Sequence, residues 1–312
     1  DAGLALFEFH LRGGRYGPAQ EAAKALSTKA PEDIAVLLAN ARVAMATNNA
    51  EAANAALVKA TRAAGFDAQQ LTKIALLQLG TGDAKAAAYS LTKALQAAPN
   101  HLPAEALMVD ADIRQRDFDA ADKRARGIVA RHPKLAVGHS LLGDLAKARG
   151  LWPQSVEAYR RAYQLEPSST TLLRLQSTLS VKDPAGAAQL GEQWLKTHPQ
   201  DIAVRRAQAD GLARAGNMTG ARGAYEAVLK VSPNNAEVLN NYAHVLLALK
   251  DTTGAGKAAA AALALKPEAP HILGTAGWVA FKSGQSDRGL QLLRDARLRD
   301  PANADTRYYL AA

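Results

Sequence analysis

Apolar and polar positions along this chain follow a helical period, broken by short polar turns at near-constant intervals. The stretch from Gly138 to Pro167 shows it best. It reads as two short amphipathic helices joined by a tight turn, with Leu142-Gly143, Gly150, Tyr159, Ala162 and Pro167 as landmarks. The landmarks recur on both sides. Prolines stand at 31, 99, 133, 167, 199, 233, 267 and 301, at intervals of 34 except for one of 68, with Gly65 at its midpoint, and one of 32 between Pro167 and Pro199. The pattern predicts helix pairs over 1–31, 32–65, 66–99, 100–133, 134–167, 168–199, 200–233, 234–267 and 268–301, then a truncated tenth unit at 302–312, all in one continuous array.

Each landmark has a mechanical reason. Proline closes a unit because it cannot continue a helix. Gly14, Gly82, Gly150, Gly216 and Gly284, with Asn48 in the second unit, stand where the first helix must end in a left-handed residue. Arg116 occupies that slot in the fourth unit. Asn49, Asp83, Asp117, Asp183, Asn217 and Asp251 follow as caps for the second helix. Pro18, Pro153 and Pro184 lie near second-helix starts, where proline costs little. The sixth unit is two residues short, which should tighten its turn and change the local twist. In the first unit, Leu4, Phe7 and Leu11 make an apolar stripe that nothing in the sequence covers, so an upstream neighbour is expected.

Small residues mark where the two helices of a pair meet. The second-helix slot reads Ala19, Ala53, Ala87, Ala121, Ser155, Ala187, Ala221, Ala255 and Gly289. The facing slot reads Ala41, Ala75, Gly143, Ser177, Ala209, Ala243 and Gly277, with Phe7 and Val109 as exceptions. Small faces let backbones approach closely.

Composition adds exclusions. Aromatics are 5% of 312 residues against 48% hydrophobic in all, so Ala and Leu fill most apolar positions, which suits thin, closely packed helices. No apolar run is long enough to span a membrane. The absence of Cys excludes disulfides, thiolate zinc sites and a Cys nucleophile within this sequence. The net charge of +9 is spread along the chain and permits an anionic partner without demanding one. The sequence starts at Asp1 with no Met and no legible signal peptide, so a piece or processed product of a longer protein is expected.

Catalytic motifs do not emerge. No pair among the seven histidines has metal-ligand spacing. Gly254-Ala255-Gly256-Lys257 lacks the spacing, the following Ser or Thr, and the preceding strand of a phosphate loop. Asn217-Met218-Thr219 matches a glycosylation acceptor, a pattern common by chance. We expect no enzyme activity, no metal and no cofactor.

A 34-residue period of helix pairs resembles the tetratricopeptide repeat across the whole chain. The resemblance implies an all-α fold, a right-handed superhelical solenoid of antiparallel helix pairs. It also implies that the first helices line an inner groove for extended peptides or other partners. Projected on that face, the stripe runs through Glu8, Arg12, Arg42, Met45, Asp110, Ile113, Arg114, Asp144 and Lys147. It continues through Arg174, Thr178, Lys182, Arg206, Asp210, Arg214, Asn240, His244, Trp278, Phe281, Lys282 and Tyr308. The candidate groove residues are Arg174, Lys182, Arg206, Asp210, Arg214, Asn240, His244, Trp278, Phe281 and Tyr308, a basic middle with an aromatic end. The plain alternatives are that Arg206, Asp210 and Arg214 pair along one helix and that Trp278 packs on the tenth unit. Neither the Lys/Asn clamp for chaperone tails nor the asparagine ladder of glycosyltransferase-linked arrays is reproduced.

The wording of the last repeats, Ile272 to Val279, Gly289 to Leu293 and Arg307 to Ala311, resembles envelope lipoproteins of the bacterial PEP-CTERM/exosortase system. That resemblance implies a periplasmic or outer-membrane-anchored protein of exopolysaccharide production or protein sorting. Without it the compartment stays open, the cytoplasm included. The expected function is a binding scaffold for a protein or peptide, with an acidic polysaccharide as second ligand class. Nucleic acid is disfavoured by the sparse aromatics and mixed charge. The alternatives are a self-associating spacer with no groove ligand, or the repeat segment of a larger protein with catalysis elsewhere.

Overall fold

The computed structural model describes residues 2–312; Asp1, where the first predicted unit begins, lies outside the described residues. They form nineteen helices, with no strand among them. Fold class is all-α, as expected. Helix pairs follow the proline period from end to end. Every second helix has 14 residues and most first helices have 13. Among the described residues no helix is long and apolar enough to cross a membrane.

The chain divides into two compact units. The first covers Gln20–Leu190, and its complete pairs are α3 (Ile34–Ala46) with α4 (Ala50–Ala63), α5 (Ala68–Gly80) with α6 (Ala84–Ala97), α7 (Leu102–Arg114) with α8 (Phe118–Arg131), and α9 (Ala136–Ala148) with α10 (Trp152–Leu165). It also holds α11 (Ser169–Leu179) and the start of α12 (Pro184–Thr197). The second unit gathers Gly191–Ala312 with Leu4–Ala19. It contains most of α1 (Ala2–Arg12), then α13 (Ile202–Arg214), α14 (Met218–Val231), α15 (Ala236–Ala248), α16 (Thr252–Leu265), α17 (Pro270–Lys282), α18 (Ser286–Arg299) and the short α19 (Ala304–Ala311).

The turn inside each pair is built as the residues demand. Gly14, Asn48, Gly82, Arg116, Gly150, Gly216, Lys250 and Gly284 all have positive φ. The next N–H reaches back five residues, as from Asp83 to the Gln78 carbonyl (2.9 Å) and from Asn217 to Leu212 (3.0 Å). This left-handed closure satisfies helix-end carbonyls. The eighth pair was not anticipated: Lys250 adopts φ +64°, a conformation costing a non-glycine residue about 1–2 kcal/mol. The two residues missing from the sixth pair come out of α11, which has 11 residues. Its turn has no positive-φ residue, and Asp183 N–H reaches only four back, to Leu179 (2.8 Å). All six expected caps accept from the backbone three residues on, at 2.8 to 3.1 Å.

The small-residue slots are buried with two corrections. In the shortened α11 the register slips by one, so Ser177 is exposed and Thr178 is buried in its place. Phe7, expected to lie bare, is fully buried, with Leu4 and Leu11 half-buried; of the large hydrophobic residues of α1, Leu6 and Phe9 stay exposed. Elsewhere the approach is tight. Ser155 Oγ donates to the Gly143 carbonyl at 2.9 Å, and a Cβ on Gly277 would stand 2.9 Å from the Gly289 carbonyl oxygen. Within the second unit, Gly17 N–H donates to the Glu268 carboxylate at 3.1 Å, a contact no repeat pattern announces.

Candidate functional site

The first helices carry the polar chemistry, and they use it mostly on one another. In the first unit Asp144 on α9 accepts from the Tyr159 hydroxyl of α10 (2.6 Å) and from Arg174 of α11 (2.5 Å). Burial and the Asp144 carboxylate push the Tyr159 hydroxyl well above its ordinary range. Arg174 is therefore a partly buried structural cation rather than a free one. Arg114 also bonds inward, to Asp110 (3.0 Å) and to the Leu79 carbonyl (3.0 Å). Lys182 is exposed on the turn after α11.

The second unit repeats the device with different ends. Asp210 on α13 accepts from the Tyr225 hydroxyl of α14 and from the Asn241 amide of α15 (3.3 Å). The Tyr225 hydroxyl is raised by burial and by Asp210, as Tyr159 is by Asp144. Around this pair opens a cleft of about 360 Å³ lined by Asp210, Arg214, Met218, Tyr225, Asn241 and His244, among others. Arg206 and Arg214 are exposed and form no salt bridge with Asp210, so the plain alternative, pairing along one helix, does not occur. Asp210 is occupied across the helices instead.

His244 forms the cleft's far side. Its Nε2 lies 2.8 Å from Thr275 Oγ1, and that hydroxyl already donates to the His271 carbonyl (3.0 Å). The imidazole must therefore donate through Nε2, which leaves Nδ1 as an acceptor. Burial holds the ring pKa below its ordinary value, so it stays neutral. Asn240 is a correction: it is 6% exposed, turned into the packing, and donates only to Asn241 Oδ1 (3.3 Å). A helix turns 100° per residue, so an error of one position moves a side chain from groove to core. Asn241, Tyr225 and Met218 were not among the candidates. Tyr225 comes from a second helix, and no first-helix stripe includes it.

The aromatic end assembles as a cluster. Trp278 stacks on Tyr309 of α19 (4.7 Å between centroids) and near Phe281 (5.7 Å), with Lys282 Nζ 4.4 Å over its ring. The plain alternative for Trp278, packing on the tenth unit, is what the structure contains. Tyr308 is 65% exposed and Phe281 37%.

Family models for the tetratricopeptide repeat match residues 78–145 and 206–270. Over those two stretches the chain matches the tetratricopeptide repeat. Among solved structures, a tetratricopeptide repeat protein from Parabacteroides merdae is similar at 14% identity and a TM-score of 0.52, over 78% of this chain and 97% of that one. The Cut9–Hcn1 hetero-tetramer structure of the APC/C is similar at 13% identity and 0.53, over 94% of this chain and 58% of that one. At such identities the likeness is one of fold. No curated protein matches the chain. The match over 78–145 includes Asp144 but not Tyr159, while that over 206–270 includes Asp210, Tyr225, Asn241 and His244 together.

Proposed function

We propose that this chain is a non-catalytic interaction scaffold that holds an extended peptide segment of a protein partner in the cleft between α13 and α15. A tetratricopeptide fold is consistent with a protein-interaction role. The observation that carries the reading is the mixed lining of the cleft. Arg214 is an exposed guanidinium with no carboxylate pair, Asn241 offers an amide, and His244 is neutral with an acceptor nitrogen. Peptide backbone presents alternating donors and acceptors and needs both kinds of counterpart. The Tyr225–Asp210–Asn241 bonds hold the lining in place before a ligand arrives, which lowers the ordering cost of binding.

Selection of peptides from a random display library on the full chain tests this. Enriched peptides should lose about tenfold or more in affinity on Arg214→Glu and on Asn241→Ala, while thermal stability of Arg214→Glu is unchanged. Peptides that bind both variants as they bind the parent would refute the cleft. The envelope role rests on the wording of the last repeats alone. Exposed Tyr308 and Phe281 favour self-association as the second reading. Sedimentation velocity on Tyr308→Glu checks it: a parent that is monomeric at every concentration removes that reading.

A further inference from the structure

The first unit has a second cleft that lies off the first-helix groove and is independent of the function proposed above. It opens between α8, α9 and α10, with a volume of about 460 Å³. Its floor is apolar, made by Leu142, Leu145, Ala146 and Ala158. Its rim carries Arg126, Arg149 and Arg161 against Asp122 and Glu157. Both acids are already engaged: Asp122 accepts from Arg126 (2.6 Å) and Glu157 from Arg160 (2.9 Å). Arg149 and Arg161 are exposed and form no salt bridge; Arg161 reaches only the Gln164 side chain, at 3.4 Å.

Three departures from the repeat meet at this cleft. Where other repeats place Leu37, Leu71, Leu173, Leu239 and Leu273, this one places His139. The fourth and seventh repeats also have polar residues there, Glu105 and Arg205, but Arg131 answers Glu105 with two bonds of 2.9 and 2.8 Å, and Arg205 donates to the Pro199 carbonyl at 2.7 Å. His139 faces Arg161 instead, and burial with that charge lowers its pKa. Where six repeats place an Asp or Asn cap, this one places Leu151, 37% exposed at the cleft's rim, and α10 has no side-chain cap. Where other repeats place Thr47, Thr81, Gln115, Ala215, Leu249 and Ser283, this one places Arg149. A cap has been given up for apolar surface and a cation added beside it, so packing within the repeat does not account for the set.

We propose that this cleft is a docking site for an acidic peptide segment of a partner protein. One large apolar side chain of the segment rests on Leu142, Leu145 and Ala146, and flanking carboxylates meet Arg149 and Arg161. Guanidinium groups suit carboxylates through their planar fork, and an apolar floor beneath a charged rim is the usual anatomy of a peptide-anchoring pocket. The open rim suits a chain that enters and leaves, not an alkyl tail that needs enclosure.

The test uses the full chain and a fluorescein-labelled pool of short peptides of pattern Glu-X-Glu, with X being Leu, Phe or Met, read by anisotropy. The expected result is saturable binding that weakens about tenfold or more in the double variant Arg149→Glu/Arg161→Glu. Leu151→Asp separates binding from folding, because it restores the missing cap: the melting midpoint should hold or rise while binding weakens. Arg214→Glu, in the other unit, should leave this binding unchanged. No saturable binding, equal binding of a Lys-X-Lys pool, equal binding by the variants, or displacement of the peptide by decanoate at equal affinity would each overturn the proposal.

Discussion

Replacing Gly277 with alanine tests a close approach between two helices. Gly277 and Gly289 lie on α17 and α18, and both are buried. A Cβ on Gly277 would stand 2.9 Å from the Gly289 carbonyl oxygen, 3.0 Å from the Leu293 nitrogen and 2.8 Å from Leu293 Cγ. Ordinary contact for a Cβ begins near 3.4 Å, and two of these three atoms are backbone, so the helices themselves must part. Alanine normally stabilises a helix interior by about 0.5–1 kcal/mol over glycine. Overpacking a dense interface costs about 1–3 kcal/mol, and a backbone obstacle belongs at the upper end. The net expectation is a loss of about 1–2 kcal/mol. Gly256 on α16 is the control: nothing lies within 4 Å of its Cβ position, so Gly256→Ala should stabilise by about 0.5–1 kcal/mol. Urea unfolding followed by far-ultraviolet circular dichroism reads both variants. Because repeat arrays sum local stabilities, hydrogen exchange of α17 and α18 places the effect. Gly277→Ala as stable as the parent, with Gly256→Ala behaving as expected, would refute the close-approach reading.

Two further outcomes follow from the same structure. Lys250→Gly should raise stability by up to about 1 kcal/mol, because glycine takes the left-handed conformation at φ +64° without the steric cost; a lower melting midpoint would contradict it. Glu237 is held down to about 2 by the hydrogen bond from His271 (2.9 Å), against desolvation and with help from Lys266 (2.8 Å). A depressed carboxyl pKa stabilises the fold above the unfolded carboxyl's ordinary range, and that contribution is lost as pH falls from there through about 2. The stability gap between parent and Glu237→Gln, measured across an acid series, should therefore shrink toward low pH, and a gap that stays constant would dismiss the pairing.

Much of the local architecture was legible beforehand. Unit-ending prolines, left-handed glycines and Asp or Asn caps act through neighbours a few residues away, and all the expected caps formed. The shortened sixth unit was legible too, though not which helix would lose the residues or that Ser177 would turn outward. Asn240 and Asn241 show the limit most clearly. Both fit a groove stripe to within one position, yet one is buried and the other bonds Asp210. Arg206, Asp210 and Arg214 have the spacing of an intrahelical ladder, but Asp210 is held by Tyr225 and Asn241 from two other helices.

The chain alone determined the succession of helices and, outside the shortened sixth pair, which small residues face one another, because those depend on backbone conformation and on contacts within a pair. Only the packed structure decided which polar groups remain free. That choice depends on the rotation and offset of one pair against the next, and a difference of one residue there separates an engaged carboxylate from an open cleft.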